Sequence, residues 1–155
     1  MPATPGAASV PAMTQAVQSD EIAVVMAFLD ALQRTDVDAA LALLDPGIEY
    51  QNVPLPPARG LKEVERQLRS LERFFNGFEV VHHNIAANGP VVLTERTDVL
   101  VVGPVRGAFW VCGTFEVRDG RITLWRDRFD YVDFTLSFVR GAGKALVRAL
   151  SRSGS

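Results

Sequence analysis

Arg96 and Asp98 interrupt an apolar, extended segment, Val91–Val102, most of which is typical of a strand buried on both faces. Arg96 and Asp98 lie two positions apart there. Because successive side chains of a strand alternate between its two faces, both point to the same face. An unpaired charge in an apolar layer costs several kcal/mol, so we expect the pair to be neutralised by a partner or to line a cavity.

Two other strand-like segments also carry polar side chains among apolar ones. On one of them Trp125, Asp127 and Phe129 share a face, which places a carboxylate between two aromatic rings. On the other, Tyr50 and Asn52 share a face. Each pattern taken alone is more typical of a salt bridge or of the solvated face of a sheet than of a functional site.

Taken together, these side chains are suited to acid–base chemistry if one concave face collects Tyr50, Asn52, Arg96, Asp98 and Asp127. Like charges in a poorly solvated pocket drive two carboxyl pKa values apart, which leaves one acid and one base. A phenol donor and a carboxamide can fix a small polar molecule beside the base. We expect that molecule to be water.

The elements that must position these groups follow from periodicity. The first half of the sequence predicts a helix that Ser19 or Asp20 caps and a short second helix that Asp36 caps and Pro46-Gly47 closes. A strand over Ile48–Asn52 and a third helix from about Leu61 to Phe75 follow. The second half predicts strands over Phe78–Ala86, Val91–Val102, Ala108–Val117 and Arg121–Tyr131, with turns at Asn88-Gly89, Gly103-Pro104 and Asp119-Gly120. Helices followed by an antiparallel meander predict an α+β domain with its helices on one face of a curved sheet.

Length and composition limit the remaining possibilities. The chain has 155 residues, of which 48% are hydrophobic, and a net charge of −2, which argues against a nucleic-acid partner. The single Cys112 excludes an intrachain disulfide, and with His82 and His83 as the only histidines no metal site is expected. We expect a mobile leader over residues 1–19, one domain over 20–135 and a C-terminal helix or tail over 136–155.

The two ends of the chain bear on localisation. The leader has neither the basic start nor the apolar centre of a secretory signal, and no segment is apolar enough to span a membrane, so a cytoplasmic protein is expected. The tail carries a basic stripe of Arg140, Lys144, Arg148 and Arg152. Because Gly141 and Gly143 weaken a helix there, a solvated terminal helix is favoured over membrane contact, which is not expected.

From about Glu21 to Phe134 the chain resembles the limonene epoxide hydrolase family, a branch of the α+β fold shared by nuclear transport factor 2 and ketosteroid isomerase. Three motifs in the family's order carry the likeness: Tyr50–Pro57, Thr94–Leu100 and Ile122–Asp127. The resemblance implies a cone-shaped, mixed but mostly antiparallel sheet with three to four helices packed on it.

The resemblance also implies the hydrolysis of an epoxide to a vicinal diol in one step, with no cofactor and no covalent intermediate. By that likeness Asp127 is the general base for a water that Tyr50 and Asn52 also hold. Asp98 is the general acid that protonates the epoxide oxygen, and Arg96 bridges the two carboxylates.

Apolar neighbours of these residues are candidates for binding a lipophilic epoxide. Leu100 and Phe129 lie two positions beyond the acid and the base on the same faces, while Leu29 and Leu32 of the first helix are explained equally well by core packing. Apolar walls discriminate poorly between substrates that differ by a methylene, so terpene, cyclic, fatty-acid and sterol epoxides all remain open.

Two other functions are compatible with the same fold. A ketosteroid-isomerase-like or polyketide-cyclase-like enzyme would use an aspartate base, but that chemistry does not need an arginine between two carboxylates. A non-catalytic small-ligand binding module gives no reason for five polar groups inside an apolar pattern. Since a second copy often covers exposed sheet surface, we also expect a homodimer.

Overall fold

The structure is a computed structural model that describes residues 19–153, so the expected leader lies outside the described residues except for Ser19. In chain order the elements are α1 Asp20–Gln33, α2 Val37–Ala42, β1 Leu44–Val53, β2 Ala58–Arg59, α3 Leu61–Phe74, β3 Gly77–Asn88, β4 Val91–Val102, β5 Val105–Arg118, β6 Arg121–Arg128 and α4 Tyr131–Ser153. The α+β class predicted from the sequence is confirmed, with four helices and six strands in the described residues.

The first three helices begin near where the sequence predicts. The Ser19 hydroxyl accepts a hydrogen bond from the Ile22 backbone N–H and starts α1, and the Asp36 carboxylate does the same for the Ala39 N–H of α2. Both side chains satisfy backbone donors that the first turn of a helix leaves free. Gly60 precedes α3 with a φ of +86°, a conformation that favours glycine.

The segment between α2 and β1 differs from the prediction. Pro46 and Gly47, expected to close the second helix, lie inside β1, where the register is irregular between Leu44 and Glu49. The helix ends earlier because Leu44 is buried in the core and pairs with Ile122 of β6. Burying this leucine in the sheet outweighs one more turn of a short helix.

The six strands form one sheet in the order β2-β1-β6-β5-β4-β3. All neighbours are antiparallel except β1 and β6, which are parallel, so the sheet is mixed but mostly antiparallel. The hairpin between β3 and β4 turns at Gly89 and Pro90, one residue later than expected, because Asn88 pairs with Val91.

The sheet buries one face and leaves the other partly exposed. Along β5 alternate residues from Gly107 to Val117 are buried, and those between them are more exposed. The same alternation holds for most of β4, where Leu93 is 53% exposed. The expectation that β4 is buried on both faces was therefore wrong, because α1 and α4 cover only the concave face of this single chain.

The last strand also ends earlier than predicted. β6 stops at Arg128, and Tyr131, expected at the end of this strand, begins α4. The Asp130 carboxylate accepts hydrogen bonds from the backbone N–H groups of Val132 and Asp133 and so caps the new helix. Among residues 19–153, no helix is long and apolar enough to cross a membrane.

Candidate active site

The five polar residues singled out from the sequence lie together on the concave face of the sheet. Tyr50 and Asn52 come from β1, Arg96 and Asp98 from β4, and Asp127 from β6. The parallel pairing of β1 with β6 places Asn52 directly beside Asp127. Four of the five line one cavity, and Arg96 lies behind the two carboxylates with 1% of its surface exposed.

The Arg96 guanidinium joins the two aspartates. Its Nε and Nη2 donate to the two oxygens of Asp98 at 2.8 and 3.1 Å, and Nη2 also donates to Oδ2 of Asp127 at 2.7 Å. Its Nη1 donates to Oγ1 of Thr94 at 3.0 Å. The planar guanidinium thus bonds both carboxylates at once, which the point charge of a lysine ammonium would do less well.

The bridge has to cross a strand, because β5 lies between β4 and β6. It crosses at Gly113, which is opposite Thr94 on one side and Asp127 on the other. A Cβ at Gly113 would lie 3.0 Å from Oδ1 of Asp127, 2.5 Å from Oγ1 of Thr94 and closer still to Nη1 of Arg96. The missing side chain is therefore what gives the guanidinium its path.

The two oxygens of Asp127 have different surroundings. Oδ2 accepts from Arg96 and, at 3.0 Å, from Nε1 of Trp125, whereas the buried Oδ1 has no hydrogen-bond partner among the described residues. A buried carboxylate oxygen without a donor is unusual in a folded protein. Asp127 thus keeps one oxygen free to accept a proton while the other is held in place.

Tyr50 and Asn52 form a second polar pair beside Asp127. Nδ2 of Asn52 donates to the Tyr50 hydroxyl at 2.7 Å, and the Tyr50 ring stacks on Trp125 with a centroid distance of 3.9 Å. Burial, followed by the charge of Asp127, raises the pKa of Tyr50 above its usual range. The phenol therefore stays neutral and can donate its own O–H to a third group.

Burial and the neighbouring charges together determine the protonation states of Asp98 and Arg96. Burial raises the pKa of Asp98 to about 6, although the charge and hydrogen bonds of Arg96 act in the opposite direction. For Arg96 burial alone would lower the pKa, but the charges of Asp127 and Asp98 outweigh it and raise the pKa above its usual range. The arginine stays charged, and Asp98 can hold a proton near neutral pH.

An apolar cavity of about 230 Å³ opens in front of these groups. Apart from the catalytic groups, Thr35 and Glu72, its wall is apolar and includes Leu32, Val37, Leu68, Leu71, Phe75, Phe78, Leu100, Phe109, Val111, Phe129 and Phe134. Of the four expected wall residues, Leu32, Leu100 and Phe129 line the cavity. Leu29 does not, because it is fully buried in the core beneath it.

Three residues that contact the bridged groups were not assigned a role from the sequence. Thr94 and Trp125 each lie two positions before a residue of the site on the same face, so strand periodicity already placed them beside Arg96 and Asp127. Gly113 lies inside strand β5, and a glycine within a strand often marks the close approach of another group. The sequence does not say which group approaches.

Comparison with known proteins relates this chain to one enzyme family. The family model described as limonene-1,2-epoxide hydrolase catalytic domain matches residues 19–140. The epoxide hydrolase EphG of Mycobacterium tuberculosis (strain ATCC 25618 / H37Rv) is 48% identical over 126 residues, which cover 81% of this chain and 84% of that protein.

Solved structures extend the likeness to the fold. The structure of an M. tuberculosis LEH-like epoxide hydrolase has a TM-score of 0.78 at 47% identity and covers 83% of this chain and 96% of that one. A SnoaL-like polyketide cyclase from Jannaschia sp. CCS1 has a TM-score of 0.69 at 16% identity, over 86% of this chain and 97% of its own. The second match concerns the fold alone.

Proposed function

The chain belongs to the limonene-1,2-epoxide hydrolase family and is an epoxide hydrolase of that type, and we propose that it adds water to a lipophilic epoxide in one step. The observation that carries this mechanism is the Arg96 bridge between two unlike carboxyl groups. Asp98 has a pKa of about 6 and Asp127 keeps one oxygen without a donor. Such a pair supplies an acid and a base on either side of one small cavity.

In the proposed reaction Asp127 takes a proton from a water that the Tyr50 hydroxyl and the Asn52 carboxamide also hold. The water oxygen forms a bond to one epoxide carbon as the bond from that carbon to the ring oxygen breaks. Protonated Asp98 gives its proton to the departing oxygen, which completes the vicinal diol. Solvent then removes the proton from Asp127 and returns one to Asp98, so that no cofactor is consumed.

Arg96 acts in this proposal without exchanging a proton. Its raised pKa keeps it charged, and its two hydrogen bonds to Asp98 remain when that group becomes a carboxylate at the end of the step. Negative charge passes from Asp127 to Asp98 during the reaction, and the bridge stabilises it at both positions. Each positioned proton transfer contributes about 10²- to 10⁴-fold to the rate.

The substrate class follows from the cavity wall. Apart from Thr35 and Glu72, the side chains away from the catalytic groups are aliphatic and aromatic, so the body of the substrate should be largely a hydrocarbon. We expect higher kcat/KM for terpene, cyclic, fatty-acid or sterol epoxides than for small polar epoxides. Diol formation from such a panel tests this, and equal kcat/KM for the polar members would contradict it.

Isosteric removal of each carboxyl group tests the roles of the two aspartates. Asp127→Asn and Asp98→Asn should each lower kcat/KM for diol formation by at least about 100-fold, because each removes one proton transfer. Circular dichroism and the melting temperature report whether the fold persists. Asp119→Asn is the matched control, since Asp119 is an exposed turn residue that does not line the cavity.

The one-step character needs a separate experiment. A single turnover in water enriched in heavy oxygen should place the label directly in the diol. If the label instead enters a protein carboxylate while the diol keeps ordinary oxygen, the reaction passes through a covalent ester. That result would overturn the mechanism while leaving the epoxide hydrolase activity in place.

The assembly proposed for this enzyme is a homodimer formed by the outer face of the sheet. Val81 and Trp110 lie on either side of Thr97 in one cross-strand row, 51% and 48% exposed, and Leu93 lies nearby on the same face. Apolar side chains clustered on an uncovered sheet are typical of a surface that a partner covers. A second copy related by a twofold axis would cover it on both chains.

A further inference from the structure

Helix α4 carries an apolar stripe that no part of the described chain covers. Its strongly exposed members, each more than 60% accessible, are Val132, Val139, Leu146, Val147 and Leu150. With Leu136 and Gly143, most of them recur at alternating intervals of three and four residues, so they share one side of a helix. The stripe runs almost the full length of α4.

The opposite side of α4 packs on the protein. Ser137 and Gly141 are its buried residues, and a Cβ at Gly141 would collide with the backbone of Arg106 at the start of β5. Gly141, which weakens a helix in isolation, thus allows α4 to lie against the sheet. The helix continues through both glycines to Ser153, and its apolar stripe points away from the domain.

The charge of the helix determines what could cover this stripe. Arg140, Lys144, Arg148 and Arg152 recur every four residues, and no acidic residue follows Asp133 in the chain. At 100° per residue, Arg140 and Lys144 lie between the stripe and the side that packs on β5, whereas Arg148 and Arg152 lie opposite the stripe. Asp133 offsets part of this charge, since its carboxylate lies 3.9 Å from the Arg140 guanidinium. The helix as a whole is still basic, and an anionic surface is complementary to it.

We propose that α4 binds an anionic lipid surface, with its apolar stripe among the acyl chains and Arg140 and Lys144 at the headgroups. Since none of the described helices can cross a membrane, α4 lies along the interface.

This inference reverses the expectation of a solvated tail, because the structure shows the exposure of the stripe that the sequence could not. It goes beyond the proposed hydrolysis and does not depend on it, since binding to lipid is measured without an epoxide. Phe134 of the same helix lines the catalytic cavity. Docking through α4 would therefore hold the cavity close to the layer in which lipophilic compounds dissolve.

Vesicle flotation with the full chain tests the proposal. Binding is expected to phosphatidylcholine vesicles that contain about one third phosphatidylglycerol, and to weaken as salt screens the charges. Val147→Gln with Leu150→Gln should lower the partition coefficient at least about ten-fold. Arg140→Gln with Lys144→Gln should lower it by a similar factor on anionic vesicles and much less on neutral ones.

Phe74→Gln is the matched control, because Phe74 is an apolar residue of α3 that is 74% exposed. It should leave the partition coefficient unchanged, and all variants should keep the circular dichroism of the parent chain. No binding to either vesicle, or equal binding to both with no effect of the α4 variants, would overturn the proposal. So would a loss of self-association in the Val147→Gln/Leu150→Gln chain without any change in vesicle binding.

Discussion

The Asp98 carboxyl is expected to set the alkaline limit of activity. Burial raises its pKa to about 6, so its protonated fraction falls about ten-fold for each pH unit above that value. If Asp98 is the general acid, kcat/KM should decline with rising pH above about 6. Steady-state kinetics at pH values below and above the pKa of Asp98 measure this decline in kcat/KM.

The Asp98→Asn variant is the control for this pH dependence. Its residual activity should no longer decline in that range, because the amide does not titrate. A parent enzyme whose kcat/KM stays constant up to pH 8 would contradict a rate-limiting proton transfer from Asp98.

At the scale of single residues, strand periodicity predicted much of the candidate site. Arg96 and Asp98 share a face because they are two apart, and the same rule places Tyr50 with Asn52. Periodicity does not predict how far apart two residues on different strands lie. The hydrogen bond from Trp125 to Asp127 and the passage of Arg96 over Gly113 depend on which strands are neighbours.

At the scale of elements, β5 is expected to control the Arg96 bridge through Gly113. Gly113→Ala introduces a methyl group where the guanidinium lies, and because Gly113 is not among the glycines with positive φ, the backbone itself tolerates alanine. We expect Arg96 to be displaced from Asp127, with kcat lowered at least about ten-fold and stability by about 1–3 kcal/mol. Steady-state kinetics and thermal unfolding measure these effects.

Gly143→Ala is the matched substitution, because a Cβ at Gly143 meets nothing within 4 Å. It should leave kcat unchanged and stabilise α4 by about 0.5–1 kcal/mol. A Gly113→Ala enzyme with the parent kcat would show that the bridge to Asp127 is not required for turnover.

The boundaries of elements were predicted less well than their existence. The β6–α4 junction was placed too late because Phe129 and Tyr131 continue an alternating pattern, while the Asp130 cap acts only once the following residues are helical. The two-residue strand β2 was not predicted, since its pairing with β1 is a tertiary contact. Local propensity does not contain these interactions.

At the scale of the whole molecule, the homodimer is expected to depend on the outer face of the sheet. Leu93→Lys places a charge at this face in both copies, so the dissociation constant should rise at least about 30-fold. Leu55→Lys is the matched control, because Leu55 is 51% exposed against 53% for Leu93 but lies in the loop after β1. Sedimentation equilibrium distinguishes the two variants, and a Leu93→Lys chain that stays dimeric would place the interface elsewhere.

The α+β class and the antiparallel meander followed from turn signals and hydrophobic period, which are local properties of the chain. The parallel pairing of β1 with β6 did not, because the two strands are far apart in the sequence. Only the resemblance implied a mixed sheet, and the structure confirms it. The concave face on which the five polar residues meet depends on that pairing.

The parallel neighbours β1 and β6 also have a consequence for biosynthesis. Gln51 and Arg126, 75 residues apart in the chain, are hydrogen-bonded across this pair, and the candidate base stands in the later strand. Strand β1 leaves the ribosome early but has no central neighbour until β6 has been translated. A nascent polypeptide therefore carries no assembled catalytic apparatus until β6 has been synthesised, and until then the edge of β1 that pairs with β6 is open to pairing with other chains.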